Sequence, residues 1–133
     1  MITAVDSNVL LDLLTGSPDH GPRSAAALRQ AAADGALIAS TAVWAEVVGA
    51  YDDSGPATSG LERSGVELIA DDREIAVAAG RVYRAHRKAG GTRRRILADF
   101  LIGAHASLRA DRLLTRDRGF YRSHFSRLTI LEP

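Results

Sequence analysis

The chain has no cysteine among its 133 residues, which excludes thiolate zinc sites, thiol nucleophiles and disulfide staples. A domain of this length does without them, because it buries about two-thirds of the surface its unfolded chain exposes. Lysine occurs only at position 88, so the 17 cationic side chains are otherwise all arginine. No basic leader precedes an apolar core and cleavage site, and no apolar run approaches the roughly 20 residues of a membrane span. The expectation is a soluble cytoplasmic protein with no membrane association. The Gly-x-x-x-x-Gly-Lys and Gly-x-Gly-x-x-Gly loops are absent, which removes the usual nucleotide-binding signatures. Ser7 has no Gly-x-Ser-x-Gly elbow and no nearby histidine, so serine hydrolysis is set aside. His20, His86, His105 and His124 show no pairing at metal-ligand spacing.

The formal charge of +1 conceals an asymmetry. Residues 1–80 carry 4 basic and 12 acidic side chains, whereas residues 81–133 carry 13 basic and 4 acidic ones. Seven cations and no acid fall between Arg81 and Arg95, enough for a local field that attracts a polyanion or, more plainly, for a solvated helix face.

Strands and helices alternate along the chain. Ile2 to Val5 is apolar without strict alternation, the pattern of a strand covered on both faces. Ser7 and Asn8 supply cap chemistry for a helix over Val9 to Leu14, which Gly16-Ser17-Pro18 ends. Arg23 to Ala33 reads as an alanine-rich helix, Ala36 to Ser40 as a second strand, and Thr41 as the cap of a helix from Ala42 to about Asp52. Ser54 to Gly65 is broken by Gly55-Pro56 and Gly60, with a short helix at Leu61 to Arg63. Val66 to Ile69 is a third strand. Asp71-Asp72-Arg73-Glu74 resembles a capping box that opens a helix through Lys88. A largely apolar, buried helix is expected from Arg93 to Arg109, then a fourth strand at Leu113 to Thr115, a short helix at Arg118 to His124 and an edge strand at Leu128 to Leu131. This order implies one α/β domain over residues 1–133, with right-handed crossovers, a central parallel sheet of four to five strands and helices on both faces.

Four acids occupy positions where acids are costly or exposed to ligand. Asp6 stands at the first strand-to-helix junction, where by itself it also reads as a cap. Asp99 projects from an apolar helix face beside Ile96, Ile102, Gly103 and Ala106. A lone buried carboxylate costs several kcal/mol unless it is paired or metal-bound; an ion pair with Arg95 is the plain alternative. Asp117 follows the fourth strand and by itself reads as an N-cap. Glu46 by itself reads as a surface acid near a helix start. In a doubly wound sheet, however, Asp6, Glu46 and Asp117 share the edge beyond the strand ends, where such sheets bind ligands, and the early turns of the Asp99 helix reach the same edge. Like charges ~4 Å apart repel by about 4 kcal/mol at an effective dielectric of ~20. A divalent cation offsets that repulsion. Oxygen-only ligation points to Mg²⁺ or Mn²⁺, and Mg²⁺ leans on substrate phosphates. The expected chemistry is attack of an activated water on a phosphodiester, with Arg93, Arg94, Arg95, Arg116 and Arg118 holding the polyanionic backbone.

The strings VDSNVLLDLL, TAVWAEV with Glu46, LADFLIGAHA with Asp99 and LLTRDRGFYRSHF with Asp117 resemble, in that order and spacing, the PIN-domain ribonucleases and among them the VapC-type toxins of toxin-antitoxin pairs. The resemblance covers essentially the whole chain. It implies a three-layer α/β/α fold and metal-dependent endonucleolytic cleavage of RNA, leaving a 5′-phosphate and a 3′-hydroxyl. It maps the acidic motif onto Asp6, Glu46, Asp99 and Asp117, with Asn8 and Thr115 as the polar residues that orient the first and last acids. It also implies transfer RNA or ribosomal RNA as substrate, a homodimer, and a cognate VapB-type antitoxin covering the groove.

Two other classes compete. A phospho-acceptor or phosphatase domain also places aspartates at strand ends, yet normally wants a lysine near the last strands, and the phosphatase motif wants an acid where this chain has Asn8. A non-catalytic RNA-binding module of the same fold has no need of the intact acidic set.

Overall fold

The computed structural model describes residues 1–90 and 97–133. Five short strands, β1 (Thr3–Val5), β2 (Leu37–Ala39), β3 (Val66–Leu68), β4 (Arg112–Leu114) and β5 (Thr129–Leu131), alternate with helices α1 (Ser7–Thr15), α2 (Gly21–Asp34), α3 (Thr41–Gly49), α4 (Ser54–Arg63), α5 (Arg73–Lys88), α6 (Leu97–Arg109) and α7 (Arg118–His124). Every strand pairing is parallel. The strands lie in the order β3-β2-β1-β4-β5, so the winding reverses between β1 and β4. That is the switch point at which ligands enter open α/β sheets.

Parallel register decides what meets there. Val5 lies opposite Leu114, so Asp6 and Thr115 are the next residues to leave adjacent strand ends. The ladder runs one bond further, from Asp6 N to Leu114 O at 3.0 Å and from Thr115 N to Leu131 O at 3.0 Å. All three residues of β1 and of β2 are buried, as expected of strands covered on both faces. Helix α1 packs on α2, α3 and α4, while α6 packs on α5 and lies over β1 and β4. The result is the three-layer α/β/α architecture with a five-stranded sheet. Among the described residues no helix is long and apolar enough to cross a membrane.

Several local expectations need correction. Ser54 to Arg63 is one helix rather than a broken stretch. Asp53 accepts from Gly55 N at 3.0 Å, and Pro56 falls in the first turn, where a missing N–H forfeits no intrahelical bond. Helix α1 starts at Ser7, so its cap is Asp6, whose carboxylate accepts from Ser7 N. Its other end is Gly16, at φ 65° in the left-handed region that glycine enters without penalty. Helix α3 is capped by Ser40 rather than Thr41, whose hydroxyl instead accepts from Asp71 N at 3.0 Å. No capping box opens α5: Asp72 is the cap and accepts from Ile75 N, which puts Glu74 at the second helical position instead of the third. The expected start of the next helix at Arg93 lies outside the described residues. The histidines form no metal-holding group among the described residues, although His86 Nδ1 lies within hydrogen-bond distance of His124 Nε2, at 3.0 Å. His124 Nδ1 faces the Phe120 carbonyl at 3.0 Å, so that nitrogen carries a proton.

Helix α6 buries Phe100, Ile102, Gly103, Ala104, His105 and Ala106. Gly103 is required by contact: a Cβ there would stand inside the Phe125 ring, which is itself buried beside Phe120 and Tyr121. Gly103→Ala should therefore lower stability by about 1–3 kcal/mol, although alanine gains close to 1 kcal/mol of helix propensity. Urea unfolding of the two proteins measures this, and a stabilised variant would show that the ring moves aside freely.

Candidate active site

The site grows out of the junction between β1 and α1. Asp6 is only 4% exposed, and removal from water disfavours the charge on its carboxyl. The surrounding chain supplies donors. Ser7 N bonds Oδ1 at 2.7 Å, while Thr115 Oγ1 at 2.7 Å and Asn8 Nδ2 at 3.3 Å bond Oδ2. The Tyr121 hydroxyl bonds the same carboxylate. Burial still prevails and, with a smaller push from Asp117, raises the Asp6 pKa above the ordinary aspartate value despite these bonds.

Glu46 comes to this carboxylate from the second turn of α3, which β2 and the Ser40 cap aim at the same edge. Ser7 Oγ donates to Glu46 Oε1 at 3.1 Å and lies 3.4 Å from Asp6 Oδ1, so one hydroxyl spans the two acids. The Glu46 pKa is raised first by burial and then by Asp6 and Asp99, against the Ser7 bond. Asp99 enters from the first turn of α6. Asp117 follows β4, its amide donating to Thr115 Oγ1 at 2.9 Å. Tyr121 stands one helical turn beyond Asp117 and is 1% exposed. Burial, followed by the fields of Asp6, Asp99 and Asp117, raises its pKa far above the ordinary phenol value. It therefore serves as a fixed neutral donor. All four acids thus act on one another or on one shared tyrosine, in an arrangement whose chemistry is that of an anionic pocket.

Residues 3–125 of the chain match the PIN domain family. The chain belongs to that family. No curated protein sequence matches it. Among solved structures, the PIN fold here is similar to VapBC2 from Rickettsia felis bound to a promoter DNA fragment, with a TM-score of 0.77 and 20% identity over 100% of this chain and 99% of that one. VapBC-1 from nontypeable Haemophilus influenzae aligns with a TM-score of 0.74 and 18% identity over 99% and 98%. The sarcin-ricin-loop-cleaving toxin VapC20 from Mycobacterium tuberculosis aligns with a TM-score of 0.67 and 12% identity over 95% and 98%.

In this PIN domain Asp6, Glu46, Asn8 and Thr115 are joined by hydrogen bonds, through Ser7 between the first two, and Asp99 and Asp117 face the same group electrostatically. The arginines considered for RNA contact behave differently. Arg116 forks onto Asp12, with Nε to Oδ2 at 2.7 Å and Nη2 to Oδ1 at 3.0 Å. Arg118 pairs with Glu132 at 3.0 Å on the surface. Arg93, Arg94 and Arg95 lie outside the described residues, as does any Asp99–Arg95 pair. Two residues of the site were overlooked in the sequence, Asp12 and Tyr121. Tyr121 had a signal, since it follows Asp117 by four residues on a helix and so shares its face.

Removing a donor tests how the buried carboxylate is tolerated. Because the Asp6 pKa is raised, the folded state holds that proton more tightly than the unfolded chain does. This contribution to stability is therefore largest at acid pH and declines as pH rises through the unfolded value, about 3.9, toward the folded one. Thr115→Val removes a bond to the charged form, so the decline should steepen. The cost should be about 1.5–3 kcal/mol near pH 7 and clearly less near pH 4, read by urea unfolding in chelator. An equal loss at both pH values would mean that Thr115 acts through packing and the Asp117 amide alone.

Proposed function

We propose that this PIN domain is a divalent-metal-dependent endoribonuclease and the toxin of a VapBC-type toxin-antitoxin pair. The observation that carries the reading is the convergence of Asp6, Glu46, Asp99 and Asp117 at the switch point, with two of them pushed toward protonation by burial and by their neighbours. Likeness to VapBC complexes and to an RNA-cleaving VapC toxin supports the biological setting. The proposed partners are a transfer or ribosomal RNA, a VapB-type antitoxin and a second copy of the chain, in the cytoplasm.

The donor set decides which metal ion suits the site. Among the described residues no three histidine or acidic groups gather closely enough to enclose a cation by themselves. An all-protein cage of the kind calcium favours is thus a poor fit. Mg²⁺ and Mn²⁺ fit better, because Mg²⁺ is typically held by one or two carboxylates, several waters and substrate phosphates. One or two of Asp6, Glu46, Asp99 and Asp117 would bind it directly, and the others would reach it through waters. When bound, such an ion lowers the pKa of a water and stabilises charge on a phosphodiester leaving oxygen.

The chain's own groups prepare that chemistry. Ser7, Asn8 and Thr115 fix the direction of the Asp6 carboxylate, and Ser7 ties Glu46 to it. Tyr121 stays protonated and presents its hydroxyl to the acids without adding negative charge. Buried residues of β1, β4 and α6 lie beneath these groups.

Brief expression followed by mapping of RNA 5′ ends tests the activity and names the target. Asp6→Asn and Asp99→Asn should abolish cleavage, as should excess chelator, and Asn8→Ala should lower it by about 10–100-fold through loss of orientation. Full cleavage by either aspartate variant would overturn the reading; RNA binding without cleavage would favour a non-catalytic module. Metal binding has its own readout. At 100 times its Kd, Mn²⁺ should stabilise the wild-type fold by about 2.7 kcal/mol, and Glu46→Gln should lose most of that gain while being no less stable than wild type in chelator. Thermal melts with and without metal decide it.

A further inference from the structure

Asp12 is the most deeply committed acid outside the catalytic candidates. It lies on α1 one and a half turns beyond Asp6, is 5% exposed, and accepts three bonds: Ser24 Oγ from α2 at 2.8 Å, and the two parallel bonds from Arg116 at 2.7 and 3.0 Å. A planar guanidinium in a two-pronged bond to a carboxylate has its orientation fixed as well as its distance. Arg116 is the residue between Thr115, which holds Asp6, and Asp117.

Residues 115–117 need such anchoring. They follow the end of β4, and Asp117 opens α7 at φ −101° and ψ 54° without a side-chain cap bond. Their position is set from α1 at three successive points. Thr115 Oγ1 bonds Asp6, the Arg116 amide donates to Asn8 Oδ1 at 3.2 Å, and the Arg116 guanidinium grips Asp12. The first two are single bonds within the acidic group itself. The third is charge-assisted and doubled, with Asp12 buried and Arg116 at the surface, and it reaches through Asp12 into α2.

We propose that the Asp12–Arg116 pair is a positioning clamp for the proposed ribonuclease reaction: it fixes Asp117 relative to Asp6 by locking the β4–α7 loop to α1, and Arg116 is not an RNA-contacting residue. The inference rests on the ribonuclease reading of the same site. It assigns a role to an acid that no motif marks, and it changes the role of an arginine whose place beside Asp117 implies substrate contact. Two of the three guanidinium nitrogens are already spent on Asp12, and its charge is neutralised there. What remains for a phosphate is one nitrogen at the rim.

Removing one partner strands a buried charge and can unfold the protein. The informative variant is therefore the double replacement Asp12→Leu/Arg116→Met, which removes both charges at similar volume, alongside the single Arg116→Lys. The clamp predicts that the double variant melts as a folded protein, loses about 10–100-fold in kcat, as expected for groups that orient a site, and keeps KM and the salt dependence of RNA binding. Arg116→Lys should not restore kcat, since an ammonium cannot reproduce the fork. An RNA contact predicts the opposite split: KM rises, kcat holds, the salt slope falls by about one, and lysine rescues. Hydrogen exchange gives a readout free of activity, because the Asp117 amide, bonded to Thr115 Oγ1, should lose protection in the double variant. Unchanged protection with unchanged kcat, or the KM pattern with lysine rescue, overturns the clamp. If wild type leaves RNA intact, the ribonuclease reading fails separately, and exchange at Asp117 still decides whether the loop is held as proposed.

Discussion

The buried Asp6 carboxylate is the constraint to which the rest of the molecule answers. A charge at 4% exposure is costly, and only dense hydrogen bonding makes it tolerable. The donors come from four places: the first amide of α1, the Asn8 side chain one residue on, Thr115 at the end of β4 and Tyr121 on α7. Each needs a distinct piece of architecture. The β1–β4 register places Thr115 beside Asp6, the helical start at Ser7 turns its amide back, and the short α7 swings Tyr121 over the carboxylate. Shift β4 by one residue and Leu114 would face Asp6 in place of a hydroxyl.

The same donors explain why repulsion among the acids does not open the fold. Asp6 and Glu46 remain harder to ionise than free carboxyls, so carrying their charge at neutral pH costs the folded protein free energy that relaxation of the pocket would release. Stability at this edge is therefore given up for a preorganised anionic pocket, a pattern common where sites must act on a ligand's charge. Glu46 keeps partial contact with water while Asp6 does not, so the two ends of the Ser7 bridge differ in dielectric environment as well as in residue type.

The acids could be read from the sequence because their chemistry is visible in type and place: a carboxylate just after an apolar strand, or on an apolar helix face, is a local anomaly. The layered fold was equally legible from alternation of strands and helices. What escaped depended on pairings across long sequence separation. Asp12 sits among leucines much as Asp99 does among its apolar neighbours, yet its partner Arg116 is 104 residues away, so nothing local sets it apart as structural rather than catalytic. His86 and His124 meet only because α5 and α7 flank the Phe100 ring. Helix α4 was hidden by Gly-Pro, whose usual meaning as a breaker reverses inside a first turn.

The charge asymmetry takes on a different meaning once these pairings are known. Arginines from the basic second half bond acids of the acidic first half at the sheet margins: Arg109 with Asp72 and Glu74, Arg112 with Asp34, and Arg116 with Asp12. Surface members of this set contribute little each, but together they cross-link the early and late strands of a sheet whose middle is β1 against β4. Part of the basic excess is thus internal complementarity rather than a field for a polyanion. Helix α5 is different. Arg81, Arg84, Arg87 and Lys88 follow its N-terminal acids with no anion interspersed, and Arg87 lies 4.9 Å over the Tyr83 ring. The aromatic face fixes that guanidinium on the helix surface through a cation–π contact. The cations of α5 thus form a face without acids, whereas the Arg116 guanidinium is committed to Asp12 and that of Arg118 to Glu132.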